Sequence, residues 1–87
     1  MRLTTSQAKW LALAQVCTRR DGPGEWLRLW QLGARTDREP TALMRLGLVE
    51  KRTDEMGYWY RLTDAGCAHD CGGWKFSERT GHYEEPE

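Results

Sequence analysis

The three residues Leu46-Gly47-Leu48 constrain this chain more than any others. Gly47 can take the left-handed conformation that closes a helix, and Leu48 just beyond it can fold back on Leu43, the pairing of a Schellman cap. A helix arriving from the N-terminal side therefore stops at Leu46. Beyond it, Val49, Lys51 and Thr53 fall on one side of an extended run, and Tyr58, Tyr60 and Leu62 on one side of a second. Asp54-Glu55-Met56-Gly57 supplies the turn between them, with Gly57 available for a positive φ. Arg38 to Gly66 thus reads as a helix feeding a β-hairpin, which leads into Thr63-Asp64-Ala65-Gly66.

Within this stretch, ALMRLGLVEKR, a polar turn and YWYRLTDAG resemble the recognition-helix end and wing of winged helix-turn-helix regulators of the MarR/PadR type. The resemblance covers about a third of the chain. It implies an α+β fold, a small winged helix-turn-helix of three helices plus a β-hairpin wing, here with a short fourth helix. It further implies double-stranded DNA binding in transcriptional control, in a bacterial or phage setting, with the third helix in the major groove. Arg38, Thr41 and Arg45 would then face DNA from that helix, since an arginine fork can bond a guanine edge or grip phosphate. Lys51, Arg52 and Arg61 on the wing would hold backbone phosphates. In many such regulators the helix after the wing is long and forms a dimer interface. Here it is short, and the oligomeric state is left open.

The first helix is expected over residues 5 to 19. Thr4 can cap it with Gln7 as the capping-box partner, and Leu3 can staple against Ala8. Trp10, Leu13, Ala14 and Cys17 recur at helical spacing along it. Asp21-Gly22-Pro23-Gly24 then breaks the chain. A second, short helix is expected over 25 to 33, although its opening residues also suit the small edge strand that winged helices insert between their first two helices. The third helix is expected over about 37 to 46. Thr36 is its candidate cap, Pro40 lies in the first turn, Leu43 and Leu46 point inward, and Arg38, Thr41, Ala42 and Arg45 point outward. A fourth helix capped by Thr63 would run to Cys71, before Gly72-Gly73.

These 87 residues suit one small domain, expected over 1–76, with 77–87 as an acidic, flexible tail. The formal net charge is zero, yet residues 1–52 hold ten Lys/Arg against five Asp/Glu, and residues 53–87 hold three against eight. The basic part favours a polyanion and the acidic part argues against one. No apolar run is long enough to span a bilayer and no signal-peptide pattern opens the chain, so a soluble, cytoplasmic protein with no membrane partner is expected. Three cysteines, Cys17, Cys67 and Cys71, are an odd number and suit reduced thiols.

A protein-protein interaction module without direct DNA binding is the rival function: the wing tip carries Asp54 and Glu55, where phosphate would be repelled, and Trp59 falls on the outer side of the wing as a partner anchor. Trp59 could equally pack beneath Trp74 and Phe76. Trp10, Trp26 and Trp30 are placed like core residues. Cys67, His69 and Cys71, with His82 or Cys17, invite a metal reading, but on a helix His69 points away from Cys67 and Cys71, so no metal or other cofactor is expected. No nucleophile-base set, paired-carboxylate cleft or phosphate loop stands out, which argues against an enzyme.

Overall fold

The computed structural model describes residues 3–22, 24–28 and 37–86. The first helix, α1 (Thr5–Asp21), opens on the expected capping box. The Thr4 hydroxyl accepts from the Gln7 amide at 3.2 Å, and the Gln7 side chain accepts from the Thr4 amide at 3.0 Å. The helix is buried around most of its circumference, with Trp10, Leu11, Ala12, Leu13, Ala14, Val16 and Cys17 all inside. It is the central rod of the domain, and α2 (Arg38–Arg45), α3 (Asp64–Ala68), the strand β2 (Gly57–Leu62) and the strand β3 (Lys75–Ser77) pack against it.

The C-terminal turn of α2 is the Schellman motif that Gly47 dictates. The Leu48 amide donates to the Leu43 carbonyl and the Gly47 amide to that of Met44, both at 3.0 Å, with Gly47 at φ 76°. Leu43 and Pro40 are buried, and Leu46 is half-buried. Pro40 occupies the first turn, where a missing N–H leaves no helical bond unmade. The side chain of Asp37, which precedes the helix, makes no capping bond, and the candidate cap Thr36 lies outside the described residues.

The strand β1 (Val49–Asp54) pairs with β2 antiparallel, Val49 opposite Leu62, Lys51 opposite Tyr60 and Thr53 opposite Tyr58, so the expected faces form. Val49, Tyr60 and Leu62 close the core with Leu11, Leu43 and Leu48.

Three expectations are corrected. Residues 25–28 are not helical: Leu27 forms an isolated bridge to Tyr60, with mutual amide-to-carbonyl bonds of 2.7 and 2.8 Å, while residues 29–33 lie outside the described part. The edge of β2 offers these bonds to Leu27, an apolar residue that tertiary packing then buries. The fourth helix ends at Ala68, because two backbone carbonyls beyond its second residue turn toward Gln15. The boundary at residue 76 falls inside β3, which pairs with β4 (His82–Glu84) in a second hairpin, Phe76 opposite Tyr83. The Phe76 and Tyr83 rings meet edge to face at 5.1 Å and pack against the core, which gives this polar stretch the anchor its composition does not advertise. Among the described residues the chain is therefore a small α+β domain of three helices, an antiparallel hairpin and a second, shorter hairpin.

Candidate nucleic-acid interface

The C-cap at Gly47 sets how α2 is presented. Arg38 and Arg45 are two turns apart on one helix face and both are exposed, with half-buried Thr41 and Ala42 between them. The start of α2 meets the start of α1, where Thr4, Ser6, Gln7, Arg38, Glu39 and Ala42 line an open groove of about 240 Å³.

The wing residues divide by strand parity. Lys51 shares the Val49 face and its ammonium lies 4.1 Å from the exposed Tyr58 ring. Arg52 and Arg61 stand on the opposite face, and both meet carboxylates. Arg61 Nε donates to Glu50 at 3.0 Å, and an Arg52 guanidinium nitrogen is 3.6 Å from Asp54. The six positions expected to contact DNA therefore do not form one surface: Arg38, Thr41 and Arg45 belong to α2, Lys51 to the inner wing face, and Arg52 and Arg61 to the outer one.

That outer face carries a stack which the sequence reading missed. Because Leu27 bridges Tyr60, Trp26 and Arg28 flank it on the same face as Arg52, Trp59 and Arg61. The planar groups alternate. Arg61 lies 4.3 Å from the Trp26 ring centre, Arg52 lies 4.9 Å from Trp26 and 5.7 Å from Trp59, and Arg28 lies 3.8 Å from Trp59. Trp26 is thus a member of this ladder and not of the core, while Trp10 is buried and Trp30 lies outside the described residues. Trp59 is half-buried, with the Arg28 and Arg52 guanidinium groups over its ring. Period-two parity already aligned Arg52, Trp59 and Arg61; the Leu27–Tyr60 bridge, which brings Trp26 and Arg28 alongside them, was the missing term.

Asp54 is turned into its own hairpin. Its carboxylate accepts from the Met56 amide at 2.8 Å. The Trp59 indole above all, with the Met56 amide, Arg52 and Arg28, holds its carboxyl below the ordinary carboxylate range. Asp54 therefore stays ionised at the wing tip, with the Arg52 guanidinium 3.6 Å away as its counter-charge, and Met56, at 73 % relative exposure, and Tyr58, at 53 %, project beside it.

Cys67 is exposed, whereas Cys17 and Cys71 are buried, and burial raises the pKa of both inner thiols. His69 Nδ1 lies 2.7 Å from the Asp70 carbonyl. Among the described residues no three His, Cys, Asp or Glu side chains gather as a metal-ligand set, and no helix is long and apolar enough to cross a membrane. No protein-family model matches the chain, and no curated protein or solved structure matches it either.

Proposed function

We propose that this chain is a winged helix-turn-helix protein that binds double-stranded DNA in transcriptional control, with α2 as the recognition helix. The observation that carries the reading is the exposed Arg38–Arg45 face on a helix whose C-terminal cap feeds directly into a hairpin. An extended residue, Leu27, pairs with the second hairpin strand where winged helices insert their edge strand, which supports the same reading. Lys51 is the wing cation on the α2 side of the sheet parity, so it joins Arg38 and Arg45 as the expected phosphate contact; Arg52 and Arg61 leave that role to it. The test is fluorescence anisotropy on duplex DNA at moderate salt. Replacing Arg38 or Arg45 with Ala should weaken binding, by about 1–3 kcal/mol if the side chain reads a base edge. Absence of binding, or wild-type affinity in both variants, sinks the reading.

A protein-interaction module is the second reading, favoured by the apolar tip of Met56 and Tyr58. Under it, Tyr58 takes over the anchor role first given to Trp59, and Tyr58→Ser would abolish partner capture while duplex binding stays absent.

A further inference from the structure

A groove of about 270 Å³ runs between α1 and β3. Ala12, Val16 and Arg19 line it at helical spacing from α1, and Trp74, Lys75 and Phe76 line it from the other side. Its floor is apolar, since Ala12 and Val16 are buried and the half-buried Trp74 and Phe76 pack against the core. Lys75 and Phe76 are neighbours in a strand and point to opposite faces of the hairpin, so a groove that both line follows the edge of β3. Among the described residues only β4 pairs with β3, and no β4 residue lines the groove, so this is the edge without a strand partner. Arg19 and Lys75 are exposed, and among the described residues neither forms an ion pair, unlike Arg20, Arg52 and Arg61, which meet Asp21, Asp54 and Glu50. Two carboxylates stand near without lining the groove. Asp70 accepts from the Gly72 amide at 3.1 Å and lines a separate groove that Trp74 also borders, and Glu84 stands opposite Lys75 in the β3–β4 register.

We propose that this groove receives an extended acidic peptide, which adds a strand to the free edge of β3 with one apolar side chain over Ala12 and Val16 and carboxylates on Arg19 and Lys75. The N–H and C=O groups of an edge strand bind another extended backbone, and the side chains of the added strand then select by what they meet. Here they meet an apolar floor and two cations with no carboxylate between them. The volume lies below the roughly 300–1,000 Å³ of pockets that enclose a small-molecule ligand, and it suits a single side chain. A nucleic acid would supply negative charge but no strand to pair, and the exposed Glu78 and Glu84 of the same hairpin oppose a long polyanion. The groove shares no residue with the Arg38–Arg45 face of α2, so its occupation does not depend on whether α2 binds a duplex.

The probe is the blocked peptide acetyl-Glu-Glu-Val-Glu-Glu-amide, titrated into the full chain at roughly 10 mM salt, where the screening length is about 30 Å. Backbone amide resonances should shift over residues 12–19 and 74–77, and the same peptide N-methylated at every amide should shift none of them. Arg19→Gln and Lys75→Gln should each weaken binding about two- to fivefold. Arg79→Gln changes net charge equally at an exposed position outside the groove, and it should bind like wild type. All three side chains are exposed, so the variants keep the fold. Equal weakening by the three variants would mean that net charge alone acts, and equal binding of the N-methylated peptide would mean that no strand is added. The same shifts from a single-stranded DNA of about ten nucleotides would mark a general anion site. Each of these results, like the absence of any shift with the peptide, overturns the proposal while leaving the DNA reading intact.

Discussion

The side-chain amide of Gln15 donates to the Gly66 carbonyl at 3.0 Å, joining the middle of the central helix to the short helix that follows the wing. The same nitrogen donates to the His69 carbonyl at 2.9 Å, and its Oε1 accepts from the Cys71 thiol at 3.4 Å. A five-residue helix leaves most of its C-terminal carbonyls without helical partners, and one glutamine supplies bonds in this region. Gln15→Leu keeps the volume and removes every one of these bonds. It should lower stability by about 1–3 kcal/mol, and hydrogen exchange should quicken first over residues 66–71. Unchanged exchange there would show that the clamp is dispensable.

Gly66 is fixed by a second constraint. A Cβ on it would stand 2.0 Å from the Leu48 carbonyl oxygen, which already accepts from the Thr63 amide at 3.0 Å. The obstacle is backbone, held by the Schellman turn on one side and by the Thr63 hydroxyl, 2.7 Å from the Gly47 carbonyl, on the other. Gly66→Ala should therefore cost about 1–3 kcal/mol or more, although alanine is the better helix former. A melting temperature equal to wild type would contradict this close approach.

Trp59→Ala removes the ring that Arg28 and Arg52 cover, along with half-buried apolar area. A loss of about 1–3 kcal/mol in chemical denaturation is expected, with Trp59→Phe intermediate, since the smaller ring still offers a face to the guanidinium groups. A freely exposed tryptophan would show no loss.

Acid should loosen the wing turn. The Asp54 carboxyl has a folded pKa below its ordinary value, so the folded state binds fewer protons there than the unfolded one, and stability from this group is present above about pH 4. It is lost as pH falls through the lowered folded value. Asp54→Asn removes the titrating group. As pH falls through and below the ordinary carboxylate range, tryptophan fluorescence should respond in wild type, and one component of the response should vanish in the variant.

Local chemistry made much of the frame legible. Thr4 with Gln7, Gly47 with Leu43 and Leu48, and Thr63 as cap each act within a few residues, and the hairpin faces followed from period-two spacing alone. The missed features depend on partners far along the chain or on patterns too short to read. Leu27 is extended because Tyr60 is there to pair with it, Gln15 works through carbonyls more than fifty residues away, and strands of three residues at Lys75–Ser77 and His82–Glu84 carry too short a pattern to read. The candidate site divided the same way: the α2 face was legible from helical spacing, whereas the diversion of Arg52 and Arg61 required knowing which residues share their side of the sheet.

The alternating guanidinium and indole planes draw on three separate stretches, at Trp26 and Arg28, at Arg52, and at Trp59 and Arg61. No member can be exchanged without undoing the seat of its neighbour, and lysine lacks the planar group that lies flat against two indoles. Natural variation at these five positions should consequently be concerted: chains that lose Trp59 should relax Arg28 as well, and chains that keep Arg52 should keep an aromatic residue at 26 or 59.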